Sequence, residues 1–427
     1  MKKVLSAAVA LGICLYLPVA ALAGGGPTTT NESILRELQA LRDQVSKQQA
    51  EIDMLKGQKV APVDLSAEQK RLDALESKNW VSALKKKVDV TLYGQVSKAV
   101  MFADDGNDDD VFFVDNAISG TRLGVTAKSK LNDEFAVGGE LEFEWTQNNS
   151  NKVSMEEDNF DGGNAEKRQM KVYGQSKSAG KLTLGHGSVA ADGIAQIDLS
   201  GTSLSGRGDS AFGAGFLFYD NAASDYSGVT VGKIFTDLDG GRMDGLVYDS
   251  PAFFGITLSG TVAEDNYNDV AVKYDHKFGD TQVKAGVAYT NEVEGSSSDN
   301  KLSGSASVML PMGLNFTAAA GKNEFANTSY DDGTYWFGKV GYQMKALSLG
   351  STSFAVDYGQ YDDMTGATSL KTQYKGEMWG AEMLQKFDDI NTEFFVAYRL
   401  YELDDNGVTI TDYDNVSVIL SGARFSF

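Results

Sequence analysis

Cysteine is nearly absent from the 427-residue sequence, which holds only Cys14. Around it, Lys2 and Lys3 precede an apolar run from Val4 to Leu17, and Ala21-Leu22-Ala23 stands before Gly24-Gly25-Gly26, the pattern of a cleaved secretory leader over residues 1–23. Ile13 is too bulky ahead of Cys14 for an acylation site. The exported remainder then has no thiol, which excludes disulfides and thiolate chemistry. Proline is scarce too: of five, only Pro251 and Pro311 fall beyond residue 62, as suits a backbone whose N–H groups nearly all enter strand ladders. The two histidines, His186 and His276, lie far apart in sequence, so neither a metal site nor an acid–base pair is expected, and the chain does not read as an enzyme. No apolar run after the leader reaches the roughly 20 residues of a membrane helix, and mean hydropathy is -0.25. Positive charge is in deficit, with 38 Lys and Arg against 59 Asp and Glu and a net charge of -21, which argues against a nucleic-acid partner.

What is present changes period along the chain. Ile34, Leu38, Leu41, Val45, Gln48, Ile52 and Leu55 recur at alternating spacings of four and three, the seam of a coiled coil, so residues 24–60 read as a flexible start and an oligomerising stalk, with a lone amphipathic helix as the alternative. Residues 61–87 form a linker with a short helix from Ser66 to Ser77. From residue 88 the period is two. Val137, Leu141, Phe143 and Trp145 alternate with Glu140, Glu142 and Glu144, and Phe394, Val396, Tyr398 and Leu400 oppose Glu393, Ala397 and Arg399. Alternation alone fits a sandwich as well as a membrane barrel. Tight turns at Asn132-Asp133, Ser178-Ala179-Gly180, Phe278-Gly279-Asp280, Pro311-Met312-Gly313 and Asp388-Asp389 alternate with long acidic loops, the spacing of a barrel with one short-turn rim. Residues 88–427 divided by roughly 20 per strand and connection give about 16 antiparallel strands. If Gly213–Tyr219 and Val229–Phe235 are strands as well, the number is 18. Asp104 to Asp110 lacks EF-hand order; loosely held divalent cations at such external loops are the only ligand it suggests, and no cofactor is expected.

The ending Gly422-Ala423-Arg424-Phe425-Ser426-Phe427 resembles the terminal signal of outer-membrane barrels, with Phe425 and Phe427 as the residues the barrel-assembly machinery would read. Val90-Thr91-Leu92-Tyr93-Gly94-Gln95, Ser119-Gly120-Thr121-Arg122-Leu123-Gly124, Lys181-Leu182-Thr183-Leu184-Gly185 and Tyr248-Asp249-Ser250-Pro251, in that order, resemble strands one, two, five and six of the general porins of Gram-negative outer membranes. The resemblance implies a homotrimer in outer-membrane lipid and lipopolysaccharide, passing small hydrophilic solutes and ions. It also implies a third loop folded into the lumen, here within 189–240, whose acids Asp198, Asp209 and Asp192 would face basic wall residues Arg122, Arg168 and Arg242. Arg122 has inward parity, that of Arg168 is ambiguous, and Arg242 stands one residue nearer Pro251 than the family spacing. Acidic loops at the mouth favour mild cation selectivity. The stalk, on the periplasmic side, is an addition to the commonest members; it leaves as alternatives a structural anchor reaching the cell wall and a substrate-specific porin.

Overall fold

The computed structural model describes residues 31–57, 88–145, 147–157, 165–365, 373–405 and 411–427. It forms two compact units, residues 1–79 and 80–427. The described part of the first is a helix, α1 (Asn31–Gly57). Along it Leu41, Val45 and Met54 are exposed, so three apolar side chains of the helix have no core of their own. Residues 1–30, with the expected leader, and residues 58–87, with the expected short helix, lie outside the described residues.

The second unit is one antiparallel sheet closed on itself. Its first segments are β1 (Asp89–Asp104), β2 (Asp109–Asp115), β3 (Thr121–Lys130), β4 (Phe135–Trp145), β5 (Ala165–Ser176) and β6 (Gly180–Ser188). Residues 189–241 follow, carrying β7 (Leu217–Asp220), β8 (Asp225–Thr230) and the one-turn helix α2 (Val231–Ile234). The wall resumes with β9 (Arg242–Asp249), β10 (Ile256–Ala263), β11 (Asn268–Phe278), β12 (Thr281–Asn291), β13 (Ser298–Met309) and β14 (Leu314–Phe325). It ends with β15 (Gly333–Leu347), β16 (Gly350–Asp362), β17 (Tyr374–Phe387), β18 (Thr392–Asp405) and β19 (Val416–Ser426). Both β2 and β3 pair with β1, the first along Lys98–Asp104 and the second along Asp89–Gln95. They are two halves of one wall strand broken at residues 116–120, so the 17 segments of the sheet make a 16-strand barrel.

The barrel closes between β1 and β19, from Gln95↔Ser426 to Asp104↔Ser417. Below that register Gly94 and Phe427 exchange two backbone hydrogen bonds of 3.0 Å. Phe427 lies over Gly94, where a Cβ would stand 2.6 Å from the ring. The 18-strand alternative fails on pairing: β7 and β8 form a separate two-stranded sheet, which meets the segment before β19 through the single bridge Asp220↔Tyr413 and joins no wall strand, and Val231–Ile234 is helical.

Exposure separates barrel from sandwich. Leu141, Val172, Leu184, Val270, Val340, Val356 and Val396 stand exposed on the outer face, while Ser303, Ser305 and Ser307 of β13 are buried on the inner one. Apolar outside and polar inside is the arrangement of a strand wall in lipid. The expected tight turns all fall on one rim.

The interior is not polar throughout. Phe212, Phe216, Phe218 and Phe235 of the 189–241 segment are buried against Met101, Phe112, Tyr361, Met378, Phe395, Tyr401 and Val418, inward residues of β1, β2 and β16 to β19. Phe235 meets Tyr361 and Tyr401 with ring centroids 5.0 and 4.9 Å away. At about 1.5–3 kcal/mol for each fully buried large side chain, the four phenylalanines are what holds the hairpin inside the barrel and keeps it out of the wall. One side of the lumen is thus a packed core, and the passage is left to the other.

Candidate channel constriction

On the side left open, β3, β4 and β5 carry a seam of opposite charges. Glu140, Glu142 and Glu144 share the inward face of β4. Arg122 of β3 approaches Glu142 at 3.9 Å. Arg168 bonds Glu142 at 2.8 Å through Nε and Glu144 through Nη1, and Lys171 reaches Glu140 at 3.2 Å. The parity of Arg168 is settled by a slip in the β4–β5 register between Glu142 and Phe143. Gln169 and Lys171 keep the regular alternation, and the extra residue at Arg168 turns inward beside them, as a β-bulge permits.

Arg242 is not part of this seam. It shares the parity of Leu246 and Tyr248, which are exposed on the outer face, whereas its neighbour Met243 packs inside on Val189, Ala190 and Ala191. The one-residue offset from Pro251 rotates the arginine out of the lumen.

The three loop acids part company. Asp198 is pinned to the far wall: Lys339 of β15 bonds it at 3.1 Å, Glu382 of β17 at 3.4 Å, and the Gly206 carbonyl at 3.0 Å. Arg399 of β18 joins Glu382 at 2.9 Å, Asp357 of β16, and the Arg207 carbonyl at 3.2 Å. All five charged side chains are at most 7% exposed. This cluster fastens the loop, and a side chain at Gly206 would enter Glu382. Asp209 pairs with Arg207 at 3.2 Å, both about one-fifth exposed. Asp192 lines a recess with Lys273 and Lys284. None of the three stands alone against Arg122 and Arg168, whose partners are the β4 carboxylates. By alternation alone those glutamates are the polar face of a strand, and Lys339, Asp357, Glu382 and Arg399 were not among the expected site residues. The signal available was β15, where inward Tyr335 and Phe337 alternate with outward Trp336 and Val340: apolar on both faces, it announces a packed interior.

Two further acids hold the loop's own ends together. Asp239 accepts the N–H groups of Gly193 and Ala195 at 2.7 and 2.8 Å, and Asp237 accepts the Gln196 amide at 2.9 Å. Burial pushes both carboxyls up from 3.8, with Asp209 adding to Asp237 and Asp237 adding to Asp239, which rises to about 7. Between the ordinary carboxylate range and about 7 the folded loop binds more protons than the unfolded one, so its hold is full at low pH and weakens as pH rises through that window. Single-channel current noise should therefore grow from pH 5 to pH 8, and the double variant Asp237→Asn, Asp239→Asn should remove that growth.

A family model described as Gram-negative porin matches residues 72–406. The chain belongs to the Gram-negative porin family. This porin is similar in fold to the anion-selective porin from Comamonas acidovorans, with a TM-score of 0.54 and 16% identity over 80% of this chain and 100% of that one. It is similar also to OmpT, an outer membrane protein of Vibrio cholerae, whose trimer form gives a TM-score of 0.51 and 16% identity over 80% of this chain and 100% of that one. At such identity these likenesses concern the fold alone. Among curated proteins, none matches this porin by sequence.

Proposed function

We propose that this porin is a passive, non-catalytic channel for small hydrophilic solutes and ions, with a modest preference for cations. The observation that carries the reading is the charged seam of Arg122, Arg168, Lys171, Glu140, Glu142 and Glu144 lining the lumen beside the apolar loop. The positive wall charges there are matched by carboxylates, and the acidic Asp104–Asp110 turn adds negative potential at the long-loop rim. Fixed charge beside a narrow passage concentrates counter-ions, and salt screens the mouth beyond about 10 Å at 0.1 M. A planar bilayer holding the purified protein should show stepwise conductance. Reversal potentials in a salt gradient should move toward anions for Glu140→Gln with Glu144→Gln, and by less for Asp198→Asn, whose charge is enclosed by Lys339. Absence of conductance steps would sink the channel reading.

With 16 wall strands both barrel ends emerge at the short-turn rim. We place that rim and α1 in the periplasm, and divalent cations and lipopolysaccharide at the other.

The subunits of a homotrimer would meet on the β1, β2 and β19 side. Lys98 stands on the outer face, its side chain 56% exposed, among Val96, Val100, Phe102 and Phe113. It pairs at 2.6 Å with Asp115, which is fully buried and also accepts the Gln147 N–H at 2.8 Å. A lysine facing lipid near the midplane costs about 2–4 kcal/mol, so a polar partner surface is the better neighbour for it. A single fluorophore on Val100→Cys should lose anisotropy by transfer between subunits, and one on Val272→Cys should lose much less; equal losses would displace the proposed face.

A further inference from the structure

The charged seam and the packed loop leave helix α1 (Asn31–Gly57) without a role. Its apolar residues recur at spacings of four and three, which draws one narrow stripe along a helix. In heptad terms Leu38, Val45 and Ile52 take the a positions, and Ile34, Leu41, Gln48 and Leu55 the d positions. Leu41 and Val45 are 60% and 58% exposed in the single chain. Apolar side chains so placed gain by meeting a second surface that removes them from water.

The positions beside the stripe identify that surface. At g stand Glu37, Gln44 and Glu51, and at e stand Leu35, Arg42, Gln49 and Lys56. When two such helices lie parallel and in register, each g position faces the e position five residues on in its neighbour. The facing pairs are then Glu37 with Arg42, Gln44 with Gln49, and Glu51 with Lys56, two of opposite charge and one of amides. Antiparallel packing sets g against g and e against e. Because g holds only acids and an amide, and e holds no acid, opposite charges never meet in that arrangement.

The stripe has one polar member. In register, the Gln48 amides of neighbouring helices stand at one level, where each can donate to and accept from another. A slip of one heptad sets Gln48 against Leu41 or Leu55 and buries an amide without a partner, so the glutamine fixes the register.

We propose that α1 is a clasp between copies of this chain, in which the helices of three subunits wind into a parallel, in-register coiled coil with Gln48 as its polar layer. The number three rests on the homotrimer reading. A seam of about three heptads is short for free association, and tethering to a common trimer makes the encounter intramolecular.

The test is disulfide linking of the full-length chain in outer membranes, in a Cys14→Ser background with copper phenanthroline as oxidant. Leu41→Cys, at d, meets its own copy only in the parallel, in-register coil, and should join two of the three subunits. Asp43→Cys, at f, should stay reduced. Adding Glu51→Lys to Leu41→Cys sets like charges at every interface and should slow linking by about tenfold. Adding Lys56→Glu as well should restore it. Residues five apart do not face each other on one helix, so that rescue reports contact between copies and not the stability of the helix itself. An unlinked Leu41→Cys chain whose Val100→Cys fluorophores still show joined barrels overturns the clasp, as does equal linking at Leu41 and Asp43 or a failure of Lys56→Glu to rescue. Linking at Leu41 without transfer between barrels upholds the clasp and fails the proposed barrel face instead.

Discussion

Replacing Lys339 with methionine is expected to release the 189–241 loop from the barrel wall. The substitution keeps the stem of the side chain and removes the ammonium that Asp198, Glu382 and the Gly206 carbonyl share. Buried carboxylates left without their cation cost about 3–5 kcal/mol, far more than a surface pair. The barrel wall, held by its ladder of backbone bonds, should persist. The effect should therefore appear as larger and noisier single-channel currents together with faster proteolysis between residues 198 and 209, at little change in the heat resistance of the barrel. Adding Asp198→Asn should recover part of the loss, because the two groups are coupled. Quiet currents of wild-type size in the single variant would show that the aromatic packing alone holds the loop.

Loss of Phe425 and Phe427 together should have the other large effect, on assembly. Phe427 closes the seam by exchanging two backbone bonds with Gly94, and its ring covers the glycine. Without it the backbone groups of Gly94 face lipid unpaired, at several kcal/mol each. Phe425 opposes Val96 across β1 and Thr392 across β18. The truncated chain should accumulate as a protease-sensitive, heat-labile species, with the folded fraction in membrane extracts reduced by more than tenfold. A normal yield of heat-resistant barrel would refute the terminal segment's part in closure.

The barrel was legible in the sequence because a closed sheet in lipid leaves few options: period-two alternation, scarce proline and short turns on one rim all follow from pairing every backbone group. Arg122 could be placed inward from Leu123 and Val125 alone. Arg168 could not, since a bulge breaks the parity rule on which any such assignment depends, and nothing local marks it. Arg242 shows the same dependence, a single residue of offset deciding inside from outside. The partner of Asp198 was out of reach, because Lys339 is 141 residues away and becomes a neighbour only when the loop folds back across the barrel.

The hairpin packed into one side of the lumen bears on what a wider version of this protein would be. Strip the loop away, and the barrel keeps its diameter while baring Met101, Phe112, Tyr361, Met378 and Tyr401 to the channel. Water withdraws from confined apolar walls, and hydrophobic constrictions close channels by dewetting. The loop is therefore less an obstruction in a wide pipe than the lining that keeps the remaining conduit wet.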